Sequence, residues 1–422
     1  FFFFKKIPLV WVNIFFFFFF GGFFPPPPPP PPTLFIIEKM KSFYLFILAF
    51  GLLVSCKSEK VESSYFKGNK ISLVKSDSIF FELDSLSTSR NSSSQIIKFE
   101  DSDHFSFLNK KNNSIYFYNL SSSNLKMKIA FEVNGKDAIG KLSNYYWLNK
   151  DSIFLYSYGS AKFSIVDSEG FVKKGYFIDN GKNAVRPEID SSRPLFRFGS
   201  KIGFNCWGSE KEYYNNSSFD ENAFMFFDLK NEEKQYRISY PDVYKGAIWG
   251  VQFFQFYHEF NAIDDLLVLS FPIDNDLTIY DLRNNQIRRV STEVGRKINV
   301  EPLSYKTGKI APDIIDEVKH QMRQDYYSFI KFDPTNNIYV RVLNKKFNND
   351  FIDSFSGLNS VFGEYSLVFL DKDFKIFDSI DLPNNQYFLT SLFFIDGKLY
   401  LEKIQNYDED LLVFDVFDLY GL

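Results

Sequence analysis

Two cysteines, Cys56 and Cys206, are too few for a disulfide framework. Three histidines, His104, His258 and His320, stand far apart in sequence and far from either cysteine, so no zinc-ligand spacing or catalytic triad can be read from them. The chain also lacks a glycine-rich phosphate loop and a Gly-x-Ser-x-Gly elbow, which removes the sequence signs of nucleotide binding and of the common serine hydrolases. Positive charge is short as well. After Cys56 the remaining 366 residues carry 44 Lys and Arg against 51 Asp and Glu, scattered rather than striped, and nucleic-acid binding has no electrostatic basis. No cofactor is expected.

Proline is scarce outside one region. Nine of 17 prolines and 13 of 54 phenylalanines fall within residues 1–39, in runs such as Phe15 to Phe20 and Pro25 to Pro32 that no packed core requires. These residues read as a translated upstream tract, with the true start at Met40. The competing reading takes the apolar stretch Ile7 to Phe24 as a membrane span followed by a polyproline spacer. From Met40 the pattern is that of an exported lipoprotein. Lys41 supplies the positive charge, Phe43 to Val54 an apolar segment of 12 residues, too short to span a bilayer, and Leu53-Val54-Ser55-Cys56 matches a lipobox. Residues 40–55 are thus expected to be removed and Cys56 lipidated, with residues 56–68 as a polar tether to a domain over residues 69–422. Such a protein sits in the bacterial envelope at the outer membrane, on its periplasmic or outer side.

The domain reads as all-β. Six segments share the pattern strand, polar turn, strand: Phe105 to Tyr118, Tyr145 to Tyr156, Leu195 to Phe204, His258 to Ser270, Ser328 to Arg341 and Leu392 to Leu401. Aromatic and β-branched runs bounded by Asn, Asp, Gly or Pro are hairpin signals, and Asp396-Gly397 is the strongest form of them. Third strands follow most of these hairpins and end on Asp167, Asp228, Asp281, Asp371 or Asp415, where an acceptor for turn amides is useful. Two leftover N-terminal strands, Ser78 to Leu83 and Gln95 to Glu100, could complete the last blade of a ring. The spacing predicts a six-bladed β-propeller closed by N-terminal strands, with one short inserted helix over Pro312 to Gln324. A pair of β-sandwiches is the alternative, though no linker divides the chain.

Leu267 to Pro272 running into Ile279 to Leu282, Tyr326-Tyr327 with Phe332-Asp333-Pro334 and Asn337 to Arg341, and Phe393 to Leu401 resemble the TolB-like six-bladed propeller lipoproteins of Bacteroidota, in particular a domain-of-unknown-function group among them. The resemblance runs from about Val61 to the C-terminus and rests on strands that define the fold. It implies a propeller and an envelope location, and no activity. Where that family carries an aromatic pair from Tyr339 onward, this chain has Val340.

Candidate chemistry is sparse. Arg186, Arg193 and Arg197 lie beside Pro187 and Pro194, where a stiffened loop could offer guanidinium groups to a carboxylate or phosphate. Trp249 to His258 is an aromatic tract in which Trp249 could stack on a sugar or peptide beside His258; packing between blades is the plainer use. Asp101 with Asp103, and Asp274-Asn275-Asp276 with Asp281, alternate as calcium ligands do but lack the glycine and terminal glutamate of an EF-hand, and read as solvated turns. Cys206 reads as core. The expected function is a membrane-anchored binding module for an envelope protein, peptide or glycan. The alternative is a propeller hydrolase or lactonase with a metal or carboxylate site at the central channel. If the address is read correctly, metabolic labelling with palmitate marks the wild-type protein and leaves Cys56→Ser unlabelled and in the soluble fraction; an unlabelled wild type would end the lipoprotein assignment.

Overall fold

The structure, a computed structural model, describes residues 71–87, 93–135, 138–158, 162–178, 185–208, 219, 222–292, 297–305, 313–355, 363–404 and 410–422. Cys56, the expected upstream tract, the signal segment and the tether lie outside the described residues.

Among the described residues twenty-five strands form six antiparallel sheets arranged as propeller blades. The first strand, β1 (Ser72–Glu82), waits for the last blade. Blade one is β2 (Ser94–Phe99), β3 (Ser102–Asn109), β4 (Ser114–Asn119) and β5 (Leu125–Ala130). Blade two is β6 (Asn144–Asn149), β7 (Ser152–Ser157), β8 (Lys162–Val166) and β9 (Val172–Phe177). In blade three the inner strand is split into β10 (Val185–Glu188) and β11 (Phe196–Phe198), both paired with β12 (Lys201–Gly208), followed by β13 (Asn222–Asp228) and β14 (Lys234–Ser239). Blade four is β15 (Tyr257–Asn261), β16 (Leu266–Ser270), β17 (Leu277–Asp281) and β18 (Gln286–Val290). Blade five is β19 (Tyr326–Asp333), β20 (Ile338–Lys345), β21 (Glu364–Leu370) and β22 (Ile376–Asp381). Blade six is β23 (Tyr387–Ile395), β24 (Lys398–Lys403) and β25 (Leu411–Tyr420), with β1 added at its edge in register from Ser72 opposite Tyr420 to Glu82 opposite Leu411.

Burial follows from this stacking. Middle strands are covered on both faces by neighbouring blades, so they are continuous apolar runs such as Ile115 to Tyr118 and Phe154 to Tyr156. Outer strands face water and read LKMKIA, VKKGYF, KQYRIS and QIRRV, the lysines and arginines discouraging edge pairing. Large aromatic side chains fill the wedge between blades, as where Phe107 stacks on Tyr116 with ring centres 5.2 Å apart and Phe105 meets Phe414 at 5.1 Å. Cys206 is buried in one such cluster with Phe163 and Phe204.

The ring closes in part as the sequence led us to expect. Only β1 joins the last blade; Gln95 to Phe99 belongs to β2, the inner strand of blade one. The hairpin from Phe105 to Tyr118 therefore joins the second and third strands of its blade, one strand out of step with the other five. Four of the five aspartates expected to close third strands do cap turns, whereas Asp415 lies within β25 and is held by Lys75, Ser78 and Tyr387. Asp167 accepts from the amides of Glu169 at 3.1 Å and Phe171 at 3.0 Å, and Asp371 from Asp373 and Lys375 at 2.9 Å each.

Three helices stand among the described residues: α1 (Gly250–Phe254), α2 (Ile314–Met322) and α3 (Asn349–Ser354). The expected inserted helix is α2, capped by the Asp313 carboxylate on the Ile315 amide at 2.8 Å. The sequence places an apolar stripe of Ile314, Ile315, Val318 and Met322 along this helix, and the stripe docks in part: Met322 is buried, Ile315 and Val318 are half-buried and Ile314 is exposed. The buried face also carries Glu317, whose Oε2 accepts from the amide of Val251 in α1 at 2.7 Å.

Arg341 on β20 is fully buried and fastens blade five to blade four. Its Nε donates to Ser270 Oγ at 2.8 Å, Nη1 to the Asn275 carbonyl at 2.9 Å, and Nη2 to the carbonyls of Asp274 at 2.8 Å and Phe271 at 3.2 Å. The guanidinium lies 3.5 Å from the centre of the Tyr327 ring. Burial pushes its pKa down to about 10, so it stays charged at neutral pH. Asp274 and Asp276, expected as solvated turn residues, both ion-pair with Arg289, at 2.8 and 3.0 Å. Replacing Arg341 by Met would remove four hydrogen bonds at once, although Ser270 Oγ keeps the Ser328 carbonyl and the Asn275 and Phe271 carbonyls keep Thr292 and the Asp274 amide, and we expect a loss of about 3 kcal/mol or more in urea unfolding; a change below about 0.5 kcal/mol would show that the loop is held by other means.

Candidate functional site

Ile189 to Leu195 interrupts the inner strand of blade three and turns into the central channel. A loop among six blades must satisfy its own polar groups there. Asp190 and Arg193 make that possible. Their backbones pair reciprocally, the Asp190 carboxylate accepts from the amides of Ser192 at 2.9 Å and Arg193 at 3.0 Å, and the Arg193 guanidinium folds back onto the same carboxylate. Burial opposes both charges, but their attraction wins: Asp190 is held below the usual carboxylate range and Arg193 above its ordinary value.

The surrounding blades supply the remaining partners. Asn144 of blade two donates to the Ile189 carbonyl at 2.6 Å. Ser94 of blade one donates its amide to Ser191 Oγ at 2.7 Å, and the two hydroxyls meet at 3.0 Å. Lys331 of blade five donates to the Ser191 carbonyl at 2.9 Å, and His258 of blade four to the Pro194 carbonyl at 2.7 Å. One short turn is thus bonded to four blades besides its own.

Beside this plug lies a chamber of about 230 Å³, walled by Ser94, Ser191, Glu259, Lys331, Thr390 and Phe393 among others. Lys331 Nζ stands 3.1 Å from Glu259 Oε2, with only 15% and 18% of the two side chains exposed. Burial raises the Glu259 pKa, and the nearby Lys331 charge works against that rise. Pro194 and Glu259 also line a wider groove of about 550 Å³, whose wall includes Tyr146, Phe196, Arg197 and Phe260. The groove residues cluster at the ends of the inner strands β6, β11 and β15, so groove and chamber adjoin on the face that carries the first turn of each blade.

The expected site residues separate in space. Arg193 and His258 meet at the plug, and Arg197 is exposed at the groove, its Nε bonded to the Gly199 carbonyl at 2.8 Å. Arg186 pairs through its backbone with Trp207, and its side chain lies outside the described atoms. Trp249 is buried on the opposite side of the blade among Tyr244, Phe253 and Phe254, its indole N–H donating to the Tyr244 carbonyl at 3.0 Å; the tract is packing between blades. His104 bonds to the Ser102 carbonyl at 3.1 Å and His320 to that of Glu301 at 2.9 Å. Among the described residues no group of three or more His, Cys, Asp or Glu is placed to hold a metal ion. Sequence reading missed Glu259 and Lys331. The available signal was positional: each is a lone charge in an apolar inner strand, two residues before the Asn261 or Asp333 that starts its turn.

His258 is fully buried, and burial, with the plug carbonyl pulling the other way, lowers its pKa to about 3. Its folded value lies below an unfolded value of about 6.5, so the unfolded chain takes up the proton first and stability falls as pH drops between those values. Between about pH 7 and about pH 5 the wild type should lose about 2 kcal/mol more than His258→Gln in urea unfolding. Equal losses in the two proteins would mean that His258 is not held neutral by the fold.

Among solved structures the chain is similar to a DUF4221 family member from Bacteroides vulgatus, with 18% identity, a TM-score of 0.71, and coverage of 84% of this chain and 100% of that one. A Bacteroides fragilis protein described as exported aligns at 12% identity and a TM-score of 0.49, over 84% of this chain and 96% of that one. No curated protein matches the sequence. Residues 70–377 match the family described as domain of unknown function DUF4221. The split inner strand, the plugged channel and the six blades described above are thus those of a chain that belongs to the DUF4221 family.

Proposed function

We propose that this chain is a lipid-anchored, TolB-like binding protein of the bacterial envelope that works through the face carrying the chamber and groove. The observation that carries the reading is a channel stopped by a hydrogen-bonded turn, which leaves a small polar chamber with a buried charge pair next to a wider, partly aromatic groove. Sites of this kind, concave and largely pre-formed with few polar groups, suit ligand binding. Glu259 is the sole acidic residue in the chamber wall among the described residues, so a paired-carboxylate hydrolase finds less support there.

The anchor reading fits the same face. Ser72, at the start of β1, pairs with Tyr420 at the end of β25, and Lys75 and Phe417 follow beside Leu399, just past the Asp396-Gly397 turn. A tether from Cys56 to Ile71 would thus leave from the chamber side of the domain, with a reach of at most about 50 Å.

An array of peptides and glycans tests the proposal. Binding should be lost in Arg197→Glu or Thr390→Trp, which alter groove and chamber, and kept in Asp350→Lys on α3 at the other face. Failure of every array member to bind, or sensitivity to position 350 instead, would overturn it.

A further inference from the structure

Resting on the binding reading above, we infer that the chamber receives one neutral sugar ring and recognises two adjacent hydroxyls of it through Glu259 and Lys331. The chamber wall contributes one negative and one positive side chain, 3.1 Å apart and mostly buried. A ligand with net charge would leave that balance uncompensated in a poorly solvated space. A zwitterion such as a free amino acid would bring two more charges out of water beside an ion pair that is already balanced, and their desolvation opposes its entry. A neutral pair of hydroxyls avoids that cost.

The hydrogen-bond capacities agree. The Lys331 ammonium has three N–H groups, two of which go to Ser191 and Glu259, and one remains. The Glu259 carboxylate has acceptor capacity beyond Lys331. Neighbouring hydroxyls on a sugar ring stand about as far apart as these two groups, so one can donate to Glu259 while the other accepts from Lys331. Both bonds are charge-assisted.

Size and lining select a single ring. At about 230 Å³ the space falls below the roughly 300–1,000 Å³ of sites for drug-sized ligands. Phe332 and Phe393 give it an apolar side, and each ring is backed by a tyrosine, Tyr339 and Tyr400, at 4.7 Å. A carbohydrate ring has an apolar C–H face to lay on such a surface.

Isothermal titration of the purified chain decides it, with glucose, galactose and mannose as neutral probes, glycine and phenylalanine as zwitterions, and glucuronate and phosphate as anions. At least one neutral hexose should bind, and a deoxy analogue lacking one hydroxyl of the recognised pair should bind at least about tenfold more weakly to the unaltered protein. Lys331→Met should show a similar loss, and Thr390→Trp, which fills the chamber without touching the pair, should abolish binding; the deoxy series decides alone if either variant does not fold. No binding by any neutral hexose, equal affinity across all deoxy analogues, or preference for an amino acid or anion overturns the sugar assignment. If sugars fail while array ligands still depend on Arg197 or Thr390, the ligand class falls and the binding face stands; if sugar binding survives Thr390→Trp, the chamber is not the site.

Discussion

The centre of this propeller is held by a four-residue turn closed by the Asp190 and Arg193 ion pair. Six blades around an axis leave a gap lined by inner strands, and here part of one inner strand leaves its sheet to fill it. Breaking the β10 and β11 strand exposes backbone groups that the sheet would have satisfied. Side chains of blades two, four and five recover the carbonyls of Ile189, Pro194 and Ser191, while the Ser94 amide of blade one donates to the Ser191 hydroxyl. The arrangement couples blades that do not touch, and it leaves the small chamber as the unfilled remainder of the channel.

Arg341 solves a related problem away from the axis. The loop after β16 turns several carbonyls inward, and a single planar guanidinium meets three of them and a serine hydroxyl. A lysine could not do this, because its ammonium acts from one point while the guanidinium presents a rigid fork. Both devices bury a guanidinium group. They differ in the counter-charge: Arg193 has Asp190 in direct contact, whereas Arg341 relies on carbonyls and the face of Tyr327.

Much of the ring was legible in the chain. Aromatic runs broken by Asn, Asp and Gly located the six hairpins, and the terminal aspartates other than Asp415 were read correctly as turn caps. The phase of blade one was not legible, because β2 carries the weak signal Ser94 to Phe99 while the following hairpin is strongly aromatic. On α2 the docking of Met322 was legible but that of Glu317 was not: a buried glutamate bonded to a backbone amide looks, in sequence, like a surface charge. Glu259 and Lys331 were passed over on the same grounds.

By itself the sequence determined what depends on neighbours in the chain: alternation, turn residues and the absence of familiar catalytic spacing. Tertiary structure decided what depends on residues far apart in the chain: which strand closes the ring, that Trp249 is packing, that Arg193 is an internal tie while Arg197 faces a groove, and that Glu259 and Lys331, 72 residues apart, form one pair. The physical reason is that strands are set by local pattern, whereas a site at the axis is assembled from blades whose order around the ring no single segment records.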